Sequence, residues 1–405
     1  MFKEYRGLRR ELYILFIGRI VTNMGSMIGP ILTLVLNQKL GMSASDIANY
    51  MLVISLLGIP INLFGGKLAD RFNKRNIIVV CDIISVVAYL LCGILPLTNT
   101  TIILLALASL LQLAESPSYE ALVADFTSSK DRERAYSLSY LGANLGLVLS
   151  PSIGGLLFKN YLWLAFIISG VSILLSTILI FFLIKDVSRT KDESDSIYES
   201  DIAQDISAVK YLKGNRVILL FLLITAIGNG VYNQFNYLMP LDLGNIFGDD
   251  GAKLYGFVTS LNCIIVFLFT AFMTRKFKRT GAGNKILIGE ILIIFSYLLF
   301  VFTMKIRFSS YIVITIFTFG EIFNTLGSSP FLTKRIPASH RGRIASIETV
   351  FCSIFTAIVE KVVGIVYDLS GSTVSWIIVL VLGLVEIGII VVMISLDKKD
   401  YPELQ

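Results

Sequence analysis

The chain has 405 residues, of which 55% are hydrophobic and 16% charged, and its formal net charge is +6. Mean hydropathy is +0.76. A soluble domain rarely exceeds about half apolar residues, so an ordinary water-soluble protein is excluded. The four cysteines (Cys81, Cys92, Cys263, Cys352) form no CxxC spacing and lie in apolar stretches. They read as small buried residues, with neither a disulfide framework nor a metal site.

The apolar residues fall into twelve blocks: 12–36, 47–64, 76–97, 101–122, 136–158, 161–184, 217–241, 254–273, 285–304, 310–331, 344–367 and 374–396. Each is close to the roughly 20 residues that cross a bilayer core. Backbone polar groups cannot go unpaired in lipid, so the blocks are expected to be helices. None alternates as barrel strands do. The first block follows four basic residues and lacks a small-residue cleavage site, which marks it as an uncleaved span rather than a leader.

Basic residues partition unevenly between the loops. The two termini and the loops after spans 2, 4, 6, 8 and 10 hold 28 lysines and arginines, the opposite loops 5, and the spans 2 (Arg19 and Lys361). This bias sets both termini in the cytoplasm and accounts for the positive charge without nucleic acid as a partner. Residues 185–216 form the longest polar segment, a linker whose end, DISAVKYLKGNR, suits a short surface helix. The chain therefore divides into a six-helix bundle over 1–184, the linker 185–216, a second six-helix bundle over 217–396 and a cytoplasmic tail, 397–405. The two bundles echo one another. NIIVVCDIISVVAYLL from Asn76 parallels NKILIGEILIIFSYLL from Asn284, aligning Asp82 with Glu290, and DRERAYSL from Asp131 parallels HRGRIASI from His340. Parallel six-span repeats are a transporter plan.

Two motifs carry a family resemblance. Between spans 2 and 3, GKLADRFNKR places Gly66, Asp70, Arg71, Lys74 and Arg75 in the pattern G-x-L-x-D-R-x-G-R-R/K, with Asn73 at the second glycine. Asparagine tolerates a left-handed backbone, so a tight turn is open to it. In span 5, GLVLSPSIGG gives Gly146, Ser150, Pro151, Gly154 and Gly155, which resembles the helix-5 motif G-x3-G-P-x2-G-G. Both motifs are similar to those of the major facilitator superfamily, in particular its 12-helix drug/proton antiporters. That resemblance implies an all-α membrane protein with twelve transmembrane helices in two pseudo-symmetric six-helix bundles. It implies a conformational gate at Gly66, Asp70, Arg71, Lys74, Arg75 and Asp125. It also implies that helices 1, 4, 7 and 10 line the cavity while 3, 6, 9 and 12 lie outside.

All four expected cavity helices carry a polar stripe. Span 1 has Arg19, Thr22, Asn23 and Ser26. Span 4 has Gln112, Glu115, Ser116 and Tyr119. Span 7 has Asn229, Asn233 and Asn236, and span 10 has Glu321, Asn324, Thr325 and Ser328. Spacings of three and four put each set on one helical face, and polar groups at membrane depth usually face a cavity or a partner. Glu321 stands near the middle of span 10, in a segment that resembles the glutamate-bearing helix 10 of those antiporters. With Glu115 it is the expected proton-coupling group, and Arg19 the expected counter-charge or ligand for an acidic substrate. Asp82, Glu290 and Glu386 fall on expected outer helices and read as structural; the adjacent Glu360 and Lys361 point in different directions, with one of the two expected at the interface of helices 5 and 11. Ser139 and Asn236 stand where resembling antiporters often carry a second membrane carboxylate.

These features point to proton-coupled export of drug-like or lipophilic compounds by alternating access. The alternative is a porter for one defined metabolite, or a lipid flippase, of the same superfamily. An enzyme is not expected: the one histidine, His340, lies in a loop, and no HExxH, nucleophile elbow or P-loop occurs. The absence of a nucleotide motif also excludes an ATP-driven pump within this chain. The expected partners are a small-molecule substrate, protons and the lipid bilayer, with no cofactor, and the expected setting is a monomer in the bacterial cytoplasmic (inner) membrane. The charge bias is checked by labelling. Single cysteines at Asn99 and Gly371 are expected to react with an impermeant reagent from outside, and one at Ser194 to stay protected. Reversed labelling would overturn the topology.

Overall fold

Each apolar block closes its own backbone hydrogen bonds as a helix. The computed structural model describes residues 7–127, 131–184, 212, 214–336 and 338–402. Most of the linker, with its expected surface helix, lies outside them. Among the described residues twelve helices are long and apolar enough to cross a membrane: α1 (Arg10–Lys39), α2 (Ala44–Arg71), α3 (Lys74–Ile94), α4 (Asn99–Asp125), α5 (Arg134–Leu157), α6 (Leu162–Leu183), α7 (Arg216–Phe247), α8 (Asp249–Lys276), α9 (Ala282–Thr303), α10 (Ser309–Arg335), α11 (Arg343–Ser370) and α12 (Ser372–Asp400).

Local chemistry sets several of the ends. Asn73 stops short of a left-handed turn. With φ −64° and ψ 116° it caps α3, its side chain accepting from the Asn76 amide. A reciprocal Thr98–Thr101 capping box starts α4, and Asn215 caps α7 through the Ile218 amide. Each cap satisfies an amide that the first helical turn leaves unpaired.

The described residues separate into two compact units. The first comprises Met1–Met42, Val53–Glu199 and Phe247–Ser260, the second Ser43–Leu52, Ser200–Ile246 and Leu261–Gln405. The units follow the two sequence halves except that the first turns of α2 group with the second unit and the first half of α8 with the first. Four pairings repeat. In the first unit α1 packs on α5 and α6, and α3 on α4 and α6; in the second, α7 packs on α11 and α12, and α9 on α10 and α12. The sequence echo is thus a repeated packing scheme.

Repeat-related α1 and α7 are both interrupted, α1 at Ser26–Met27 and α7 by the 3-10 turn Asn233–Phe235. The break in α1 exposes the Gly25 carbonyl, which accepts from Ser169 Oγ at 2.6 Å. A broken membrane helix persists where neighbouring side chains take up the freed backbone groups. The helix-5 motif glycines make close packing seats. A Cβ built on Gly146 would lie 2.7 Å from the Ile20 carbonyl oxygen, and one on Gly154 2.6 Å from that of Met27. Pro151 begins the outer half of α5 after a break at Val148–Leu149.

The outward faces of α3, α6, α9 and α12 bear exposed Val80, Val87, Leu175, Phe182, Phe295, Phe302, Leu384 and Val391. Such continuous apolar surface belongs against lipid. The interior face of the same helices carries small residues, so tight packing and lipid exposure divide each helix lengthwise. Gly154→Val is therefore expected to lower the melting temperature in detergent, overpacking costing about 1–3 kcal/mol. Gly388→Ala on α12, which would meet nothing within 4 Å, is expected to leave it unchanged or raised. Equal effects of the two changes would show that the α5 seat is not close-packed.

Candidate functional site

Polar residues at membrane depth collect in one pocket within each unit. In the first unit a cavity of about 220 Å³ is lined from α1, α3, α4 and α6, and it includes Arg19, Thr22, Asn23, Ser26, Gln112, Glu115, Ser116 and Tyr119. The expected stripes of α1 and α4 therefore meet on one cavity. The Arg19 guanidinium lies 4.8 Å from the Tyr119 ring centroid, and the Tyr119 hydroxyl donates to the Leu15 carbonyl at 2.7 Å. Asn23 turns back to donate to the Arg19 carbonyl at 2.9 Å.

Asp82 changes the reading of this site. It was expected to be structural on an outer helix, yet it is buried and lines the cavity. Its carboxyl group accepts from Thr177 Oγ1 at 2.6 Å and lies on the same cavity as Glu115. Two buried carboxyl groups on one cavity repel one another when both are ionised. Arg19 lines the same cavity. Arg19 Nε and Glu115 Oε2 are buried and have no hydrogen-bond partner.

In the second unit a cavity of about 360 Å³ is lined from α7, α9, α10, α11 and α12. Glu321 sits on its wall. Its Oε1 accepts from the Tyr232 hydroxyl at 3.0 Å and its Oε2 from Asn262 Nδ2 at 2.7 Å. Asn262 also donates to Thr318 Oγ1, and Tyr297 donates to the Tyr232 carbonyl at 2.9 Å, so both donors are themselves fixed. Asn324, Thr325 and Ser328 line the same cavity. Of the α7 stripe, Asn229 reaches it. Asn233 instead donates to Glu360 Oε1 at 2.6 Å, and Asn236 donates to Asn233 Oδ1. Residues one turn further along α7 thus build a second polar link, to α11. Asp242, deeper in α7, accepts from Tyr367, Ser372 and Trp376 at 2.6–2.8 Å. Three donors on one buried carboxylate mark a structural tie.

Glu290 and Glu386 also line the second cavity, against the expectation that outer helices keep their acids away from it. Their signal in the sequence was present: Gly289 and Gly383 lie next to them or one turn away, and small residues mark a helix's packed face. Asn262, a lone amide in an apolar span, was missed for want of any pattern.

At the basic loop, Asp125 pairs with Lys74 at 2.6 Å. Arg75 donates to the Ile184 carbonyl at 2.9 Å. Asp70 and Arg71 are exposed, and no ion pair of Asp70 occurs among the described residues.

Comparison with known proteins gives a consistent setting. Residues 14–360 match the family model of the Major Facilitator Superfamily. A Na(+), Li(+), K(+)/H(+) antiporter of Planococcus maritimus is 24% identical over 82% of this chain and 84% of its own length. Multidrug resistance protein 1 of Bacillus subtilis is 22% identical over 89% of both chains. Among solved structures, a POT family transporter in complex with 5-aminolevulinic acid superposes with a TM-score of 0.75 at 15% identity, covering 97% of each chain. That likeness shows the fold alone.

Proposed function

The chain belongs to the major facilitator superfamily, and on that premise we propose that it is a proton-coupled antiporter that exports drug-like or lipophilic compounds by alternating access. Its superfamily standing makes it a multi-pass membrane transporter of small molecules and not an enzyme. The finer reading rests on one observation: Glu321, a carboxylate inside a polar membrane cavity, is held by two neutral donors, Tyr232 and Asn262, and by no cation. Neutral donors orient the group without fixing its charge. It is free to exchange a proton for a cationic or polar substrate, which is what antiport requires. A multidrug resistance protein among the relatives supports the substrate class.

In this reading Arg19, Thr22, Asn23, Ser26, Gln112 and Tyr119 form one wall for substrate, and Asn229, Asn324 and Thr325 another. Glu115, on the same cavity as Asp82, is the second coupling group. Asp70, with Arg71, Lys74, Arg75 and Asp125, forms the gate. The exposed Asp70 is then a group waiting for its partner in a different state of the cycle, while Lys74–Asp125 stays paired. Both termini face the cytoplasm.

A second reading, exchange of monovalent cations for protons, is favoured by the second cavity. Four carboxylates line it (Glu290, Glu321, Glu348, Glu386), and no lysine or arginine does. The Planococcus relative, named as an antiporter of such ions, supports this reading too.

Glu321→Gln imitates the protonated acid. In everted vesicles it is expected to abolish pH-gradient-driven uptake of cationic substrates while leaving equilibrium binding of neutral compounds within a few-fold. A mutant that pumps at the wild-type rate, with wild-type pH dependence of binding, would make Glu321 structural.

A further inference from the structure

The buried carboxylates of the second unit are not held alike. Asp242 has three donors and Glu321 two. Glu290 and Glu386 are 3% and 1% exposed, yet each has a carboxyl oxygen, Oε2, with no hydrogen-bond partner. Only the other Glu290 oxygen is engaged, by Asn324. An uncompensated buried charge costs several kcal/mol, so both groups need a neutralising companion.

The two side chains, from α9 and α12, converge on Gly228 of α7. A Cβ built there would stand 3.4 Å from Glu290 Oε1 and would collide with Glu386 Oε1. The missing side chain is what makes room for the pair at the cavity wall. The groups facing the pair are Asn324 and Glu321 from α10, Glu348 from α11, and Thr225 and Asn229 from α7; no lysine or arginine lines the cavity. The repeat-related corner of the first unit differs in the informative way. There Gly18 faces Ser176 as Gly228 faces Glu386, and Asp82 takes the place of Glu290. Its second acid, Glu115, lies near Arg19. Each corner holds two acids, but the second unit has glutamate in place of Ser176 and Asn229 in place of Arg19, so it lacks the built-in cation.

We propose that Glu290 and Glu386 form a separate ion site that takes up one monovalent alkali cation in exchange for one proton. The proposal rests on the ion-coupled antiport reading and adds the site. With both groups protonated the corner is neutral. A cation entering displaces one proton to water while the other acid keeps its own, so the buried charge does not change. Oxygen donors suit a hard cation. A divalent ion would have to displace both protons to keep the corner neutral, whereas a monovalent ion displaces one, and no group of three or more His, Cys, Asp or Glu suited to a metal occurs among the described residues.

The test needs no transport. Purified protein in N-methyl-D-glucamine chloride is titrated with sodium or potassium chloride at constant ionic strength, in weakly buffered solution with a pH indicator. Wild type is expected to show a saturable rise in melting temperature and to release a proton for each ion bound. Glu386→Gln is expected to raise the half-saturating ion concentration by about tenfold or more, a loss of about 1.4 kcal/mol. Gly228→Ala keeps both acids but fills their space, and it is expected to lose the response as well, with its fold checked by circular dichroism. No saturable response in wild type, or a wild-type response in folded Glu386→Gln, would overturn the site. Drug export that persists with no ion response removes the ion site alone. An ion response without pH-driven export leaves the site and removes the export reading.

Discussion

A carboxyl group inside a membrane protein has to be neutralised, by a proton, a cation or a full set of donors, and the interior of this protein is arranged around which of these each acid receives. Asp242 receives three donors and ties α7 to α11 and α12. Asp82 and Glu115 lie on one cavity that Arg19 also lines. Glu321 receives two neutral donors, and Glu290 and Glu386 receive one between them. Ordered this way, the acids run from structural to exchangeable. The least satisfied ones line the larger cavity. Because desolvation penalises the ionised form, the proposed function couples protonation at those acids to the entry of an ion or substrate.

The repeat explains why two such sites exist. Both units use the same four helix pairings, and both interrupt the helix that begins the repeat, α1 and α7. Each pocket is therefore built from the same positions, and the halves have diverged in charge rather than in packing. Arg19 and Ser176 in one half answer to Asn229 and Glu386 in the other. The two units thus share a packing scheme and differ in the charged residues that line their pockets.

Much of this was legible in the sequence, for a physical reason. The bilayer imposes a length and an apolar composition on every span, so all twelve helices could be read from hydropathy, and the Asp82–Glu290 echo exposed the repeat. Stripes at helical spacing singled out Arg19, Asn23, Gln112, Glu115, Asn229, Glu321 and Asn324, and these residues line one or the other pocket. The pattern fails where a helix is apolar all round. On α3, α9 and α12 hydropathy gives the depth of Asp82, Glu290 and Glu386 but not the direction in which they point, and the assignment to outer helices misled. Asn233 and Asn236 show the complementary failure: the 3-10 turn at Asn233–Phe235 shifts the helical face, so a stripe drawn with an ideal period leaves the cavity and meets Glu360 instead. Local competition decided Asn73, whose side chain found an unpaired helix amide before its backbone needed a left-handed turn.

The central claim is that the buried carboxyl groups change protonation during the working cycle. Infrared difference spectroscopy of the protein in lipid, between acidic and alkaline buffer, reads the carboxyl C=O stretch directly. The account expects protonated-carboxyl bands that disappear at alkaline pH, one component missing in Glu321→Gln and another in Glu386→Gln. A spectrum with no carboxyl change across that range, or one that both substitutions leave intact, would contradict it.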